Sequence, residues 1–516
     1  MKFFLKMLRY YKNINTKNIF AFYYINIFID INYMNISEAT IQRFKEKNII
    51  LPTFSELENP HTIPENIIEE LNKIDPDIPH PLNLFRIHWY NSANRSTFED
   101  TPEYIILPES LTGVKAPILV ALGKNFPMIK AHKVLAAYGC LAPRLVNGKF
   151  DPTINKALWP STGNYCRGGI AVSRIMGCRG VAILPEEMSK ERFDWLEKWS
   201  IDPSDIIKTK GSESNVKEIY DKCNELKGEA NNVIFNQFCE FGNVHVHYSI
   251  TGKALGEIFN HYKKLFQNTK LFAFVSGTGS AGTISAGDRL KDDYACSKIV
   301  CVESVECPTL LYNGFGEHNI QGIGDKHVPY IHNVMNTDFV AGVTDAATNS
   351  LLYLFNHEKG QEYLQKRKIP KKLIEQLSSL GYSGIANILA AIKLAKYHNL
   401  DENQAIITVA TDSSEMYTSD RSMIAEKYFQ NNFDEVMAAE TFGRYVLGLG
   451  IDHLQELSHY DKKRIFNLGY YTWVEQQNVS VEEFNKRADP EFWKNLRSEI
   501  KEWDKKIINF NKLVNS

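Results

Sequence analysis

From about Thr101 to Asp420 the chain alternates short β-branched apolar runs with amphipathic stretches of helical spacing. Eight runs read as strands: 104–107, 118–122, 181–184, 205–208, 271–275, 298–302, 339–343 and 405–410. Between them, segments 130–138, 168–176, 190–199, 215–226, 345–356 and 383–397 repeat apolar residues at helical intervals. Strands separated by helix-length segments cannot pair as hairpins, so they form parallel sheets with helices on both faces. The expected fold class is therefore α/β.

The flanks differ from this central block. Residues 1–33 are rich in Asn, Ile, Tyr, Phe and Lys, and their apolar run 19–29 is too short and too interrupted for a membrane span. They read as a dispensable extension, with Met34 an alternative start to Met1. Residues 34–85 form a helical arm punctuated by prolines, its first helix 38–47 capped by Ser37. Residues 86–420 make the main domain, with a smaller subdomain within about 125–270. Beyond Asp420 no strand is expected, and 421–516 reads as a helical extension carrying Trp473, Trp493 and Trp503. Those rings call for burial on the core or on a neighbouring subunit.

Composition excludes several function classes. Of 516 residues 44% are apolar and 23% charged, as in ordinary globular proteins. A net charge of −2 gives no footprint for nucleic acid or an anionic membrane. The eight cysteines form no C-x-x-C pair and no zinc spacing, which fits a reduced, cytoplasmic setting and no metal site.

The segment with the most chemistry is Val275-Ser276-Gly277-Thr278-Gly279-Ser280-Ala281-Gly282-Thr283, set between a strand and a helix. Glycines allow close backbone approach, and N–H groups at a helix start face negative charge, so this is an anion cradle. Gly277, Gly279 and Gly282 satisfy G-x-G-x-x-G, and Glu303 ends the next strand 21 residues after Gly282. That is the fingerprint of an NAD-dependent oxidoreductase. A loop holding the single phosphate of pyridoxal phosphate, or a structural turn, accounts for the glycines too.

Four other segments bear on the choice. Lys130 opens the segment after the strand ending at Leu122, with Lys133 one helical turn later. Ser161-Thr162-Gly163-Asn164-Tyr165 is a hydroxyl-rich turn before a helix, suited to a carboxylate. His318-Asn319-Ile320-Gln321-Gly322-Ile323-Gly324 suits a loop passing close to a ligand, and Thr411-Asp412-Ser413 follows the last strand.

In order and content these segments resemble the pyridoxal-phosphate enzymes of fold type II, closest to the cysteine synthase and cystathionine β-synthase branch. The likeness covers about residues 85–420. It implies two parallel-sheet subdomains with the cofactor between them. Lys130 takes the position of the lysine that carries the cofactor and shuttles the α-proton, with Lys133 as competitor. Asn164 resembles the asparagine that hydrogen-bonds the cofactor ring. Gly277, Thr278, Gly279, Ser280, Gly282 and Thr283 match the phosphate cradle. Ser161, Thr162, Gly163, Tyr165, Gln321 and Gly322 match positions near the substrate.

Ser413 resembles the serine placed against the pyridine nitrogen. A neutral hydroxyl there does not hold the nitrogen protonated, which suits loss of a β leaving group over racemisation or transamination. The implied activity is β-elimination or β-replacement on an O-activated serine-type amino acid, giving cysteine or a relative. A serine, threonine or cysteine ammonia-lyase or desulfhydrase is the alternative. A homodimer acting on a small amino acid is implied. The chain departs from the common Lys-Asp-Arg pattern with Lys130-Ala131-His132, and from the usual residue after the asparagine with Tyr165.

Overall fold

The computed structural model describes residues 36–516. The extension 1–33, its apolar run and the alternative start at Met34 lie outside the described residues.

Among the described residues eleven strands form two sheets. They are β1 Tyr104–Leu107, β2 Ile118–Leu122, β3 Lys156–Pro160, β4 Arg179–Pro185, β5 Ile206–Thr209, β6 Asn232–Ile234, β7 Lys270–Gly277, β8 Lys298–Ser304, β9 Phe339–Val343, β10 Gln404–Ala410 and β11 Leu454–Glu456. The large sheet runs β1-β2-β10-β7-β8-β9-β11 and the small one β5-β4-β3-β6. The small sheet is parallel throughout. In the large sheet β2, β10, β7, β8 and β9 are parallel, while edge strands β1 and β11 run antiparallel.

The parallel core follows from residue type. Every residue of β2 and β9 is buried, and β10 is buried from Ala405 to Ala410. Covered on both faces, such strands need continuous apolar runs rather than alternation. Each fully buried Val, Leu or Ile there is worth about 1.5–3 kcal/mol.

Three strands depart from the expectation. The short β3 and β6 extend the small sheet, and β3 ends in Trp159-Pro160, which reads as a loop signal. In the tail, β11 pairs with β9 through Leu454↔Ala341, so the extension is not wholly helical. Helix Gly252–Leu265 was also without a sequence expectation.

The arm and the tail lock together over the core. Ser37 caps helix Glu38–Glu46 by accepting from Thr40 N at 3.1 Å. Phe44 meets Phe510 of the last helix edge-on at 5.0 Å. The carboxylate of Asp504 accepts from the backbone N–H groups of Phe54 and Ser55 at 2.7 and 3.2 Å. Trp473 and Trp493 are buried, and Trp473 donates to the Val328 carbonyl at 2.8 Å. The tail rings therefore pack on their own chain.

Candidate active site

A cleft lies where the carboxyl ends of both sheets converge, the usual place for ligands in parallel α/β folds. β7 delivers Gly277, Gly279 and Ser280, β3 delivers Ser161, Thr162 and Asn164, and β10 delivers Thr411. Tyr165, Thr283 and Gly322 complete the sequence-expected residues that line it.

The two lysines are placed differently from expectation. The helix expected from residue 130 begins at Lys133, because Met128 and Lys130 take left-handed backbone conformations (φ 64° and 49°). Lys130 is outside the cleft: its side chain is 44% exposed and its ammonium lies 3.4 Å from Glu415. Lys133 stands at the helix start and lines the cleft. Its Nζ donates to Ser280 Oγ at 2.9 Å and Gln237 Oε1 at 3.3 Å. Desolvation pushes its pKa down to about 8.

A buried polar network holds the opposite wall. Asn164 donates to Asp412 at 2.6 Å and accepts from Arg167 at 2.9 Å, so its amide is fixed from both ends. Arg192, fully buried, donates to Gln321 at 2.6 Å and to the Tyr417 hydroxyl at 3.0 Å. The Ser161 hydroxyl accepts from Gly163 N at 2.9 Å, and Thr162 donates to Glu213.

Several expected residues turn away from the cleft, each for a visible reason. Ser413 stands at the start of the short turn Ser414–Tyr417, where its backbone carbonyl accepts from Met416 N at 3.2 Å, and Thr411 is the residue of that segment that lines the cleft, sharing a hydrogen bond with Ser383 at 2.8 Å. Thr278 N–H and hydroxyl both go to the Val302 carbonyl, extending the β7–β8 ladder. Gly282 is a packing position, since a Cβ there would lie 2.1 Å from Asn243 Oδ1. Gln321 is spent between Arg192 and Asp420. Gly163 has φ 151° and would press a Cβ onto Arg192, so it shapes the loop.

Sequence reasoning passed over three groups here. Asp325, Glu213 and His132 carried no motif. Asp325 Oδ2 and Glu213 Oε2 are buried without a hydrogen-bond partner. Burial pushes the Glu213 carboxyl up to about 7 and Asp325 well above the usual carboxylate range. His132 meets Thr283 at 2.8 Å, and burial pushes its pKa down to about 3. The Asp325 position directly after Gly324 was the available signal.

The acid required by a dinucleotide reading is occupied. Glu303 accepts from Leu310 N and Leu311 N at 2.9 and 2.8 Å, and caps that turn in the interior. It has no free carboxylate for a ribose.

The residues present suit a phosphate-bearing aldehyde cofactor. A Cβ on Gly279 would stand 3.1 Å from the Gly322 carbonyl, so the two loops approach closely along one wall of a channel. A desolvated amine faces that channel, and Asn387 Oδ1 at its wall has no partner.

A two-sheet parallel fold with a buried amine facing a glycine loop defines the pyridoxal-phosphate enzymes of fold type II. Within that class the chain is most readily compared with the cysteine synthase branch. Cysteine synthase of Staphylococcus aureus (strain N315) is 29% identical over 273 residues, 53% of this chain and 78% of the relative. Cysteine synthase B of Campylobacter jejuni is 29% identical over 280 residues, 52% and 79%. Among solved structures, O-acetyl serine sulfhydrylase isoform 3 of Entamoeba histolytica superposes with TM-score 0.52 at 22% identity, covering 67% of this chain and 94% of its own. A hydrogen sulfide-producing enzyme of Fusobacterium nucleatum gives 0.51 at 23% identity, covering 62% and 96%. No family model matches the chain. No single helix among the described residues is long and apolar enough to cross a membrane.

Proposed function

We propose that this chain holds pyridoxal 5'-phosphate on Lys133 and catalyses β-replacement on an O-activated serine-type amino acid, with β-elimination as the competing outcome. The observation that carries this reading is the desolvated Lys133 amine, 2.9 Å from the glycine-loop hydroxyl of Ser280. When bound, the cofactor supplies an electron sink for the substrate's α-carbon.

The chain's own groups divide the remaining work. Among the described residues Lys133 is the one amine lining the cleft, and it accepts the α-proton. Ser161 and the backbone of its turn receive the substrate carboxylate, with the Thr162 hydroxyl held by Glu213 as a wall of that subsite. Gly277, Gly279, Ser280 and Thr283 hold the phosphate. Asn164, fixed by Asp412 and Arg167, orients the ring. Thr411, which lines the cleft where Ser413 does not, would take the role expected of Ser413 and offer the cofactor a neutral hydroxyl in place of a carboxylate, a setting that favours loss of a β substituent.

A hydrolytic or desulfhydrase outcome draws support from Asp325. It lines the cleft with a buried carboxyl whose raised pKa makes it hold a proton more readily than an exposed carboxylate, which suits protonation of a leaving sulfur. Incubation with O-acetylserine, with and without sulfide, separates the outcomes. Cysteine formation that depends on sulfide supports replacement, and pyruvate at equal rates in both arms overturns it. Hydrogen sulfide released from cysteine alone identifies the desulfhydrase. A homodimer in a reducing cytoplasmic setting is the assembly we propose, and sedimentation of the full chain at a monomer's mass overturns it.

A further inference from the structure

A second cavity, of about 360 Å³, opens beside the cleft where the core, the small-sheet helix Val216–Leu226 and the C-terminal tail meet. Its volume falls within the range of about 300–1,000 Å³ typical of small-molecule sites. It adjoins the catalytic cleft through one peptide bond: Asp325 lines the cleft, and Lys326 lines this cavity. Tyr220 and His327 bridge two of its walls at 3.1 Å.

The lining chemistry is one-sided. Lys217 and Lys326 supply two ammonium groups, and among the described residues no carboxylate lines the cavity. Lys217 also pairs with Asp221 at 2.5 Å, but both side chains are largely exposed and that contact is screened. Aromatic rings come from three directions: Tyr220 from the helix, Phe315 from the loop before His318, and Tyr471 from the tail. The tail buries Trp473 and Trp493, yet Tyr471 is 62% exposed, and Phe315 is 77% exposed. These exposed rings form an apolar rim around a cationic hollow, the composition of a ligand-binding groove.

We propose that this cavity is a binding site for a small organic anion with a planar apolar body. Lys326 and Lys217 take the acid group, and Phe315 and Tyr471 cover the body. The inference stands apart from the cofactor assignment, because none of these residues lines the cleft.

The test titrates the full-length holoenzyme with 1-anilinonaphthalene-8-sulfonate, followed by fluorescence and by calorimetry for stoichiometry. N-phenyl-1-naphthylamine serves as the uncharged counterpart. The proposal expects one saturable site per chain. It also expects Lys326→Glu and Lys217→Glu each to weaken binding about tenfold or more, and the uncharged probe to bind at least about tenfold more weakly. Phe315→Ala lowers affinity without changing the charge. All three substitutions fall on partly or fully exposed side chains, and unchanged thermal melting verifies the fold. The proposal is overturned by the absence of saturable binding, by both lysine variants binding within about twofold of wild type, or by equal affinity for the uncharged probe.

Discussion

Lys133 Nζ and Ser280 Oγ meet at 2.9 Å across the mouth of the cleft, joining the start of one helix to the glycine loop that follows β7. Lys133→Ala is expected to abolish turnover, with a loss of about 10³-fold or more for removal of a group acting as both anchor and base. It should also remove the visible absorbance of the cofactor. Lys130→Ala, which breaks only an exposed contact with Glu415, should leave both intact. Borohydride reduction followed by peptide mapping decides between the lysines, and an adduct on Lys130 would overturn the assignment.

Thr411 and Ser413 make the second contrast. Thr411→Asp places a carboxylate where we assign a neutral hydroxyl, and is expected to shift products from β-loss toward racemisation or transamination. Ser413→Ala should keep kcat/KM within about twofold, roughly 0.4 kcal/mol of barrier. Chiral product analysis reads the first outcome and steady-state kinetics the second.

Loading of the cofactor should depend on pH through Lys133. Only its neutral amine is a nucleophile, and its pKa is pushed down to about 8. The rate of loading into the cofactor-free protein should therefore climb as pH rises through about 8 and level off above it. Stopped-flow absorbance measures this, and a rate still rising near pH 10 would contradict a lowered pKa.

Glu213 supplies a stability signature of opposite sign. Its carboxyl is raised from 4.5 to about 7 by burial, so between those values the folded chain keeps a proton that the unfolded chain releases. Its contribution is favourable at low pH and is lost as pH rises through about 7. Glu213→Gln keeps the hydrogen-bonding shape without the titration. The melting temperature of the variant relative to wild type should thus increase from pH 4.5 to about 7 and then stay level.

Asp504 ties the tail to the arm. Asp504→Ala strips the acceptor from Phe54 N and Ser55 N and is expected to cost about 1–2 kcal/mol, the scale of a lost helix cap. Ending the chain near Asp420 removes β11, Trp473 and Asp504 together, and should yield aggregating protein. A soluble, fully active truncated chain would show that the tail is dispensable.

Much of the cleft was legible along the chain because local signals announce themselves. Gly277 and Gly279, Ser161-Thr162-Gly163-Asn164 and the segment after His318 each combine turn chemistry with a strand or helix boundary. The central strands were equally plain, since burial on both faces demands unbroken apolar runs such as Ile118–Leu122. Less visible were β3, β6 and β11, at three to five residues each, whose pairing comes from neighbours distant in sequence.

The fold class, the glycine loop after β7 and the order of the site segments were readable along the chain, because these depend on residue type and short-range spacing. Only the tertiary structure decided which of two lysines three residues apart enters the cleft. That choice turns on left-handed backbone at Met128 and Lys130, which delays the helix to Lys133. It likewise decided that Thr411 lines the cleft while Ser413 begins the turn beside it, and that Glu303 is spent on Leu310 and Leu311. Asp325 and Glu213 became site residues only once loops more than 100 residues apart were packed against Lys133 and Arg192. Side-chain direction and burial are properties of that packing, and no local pattern encodes them.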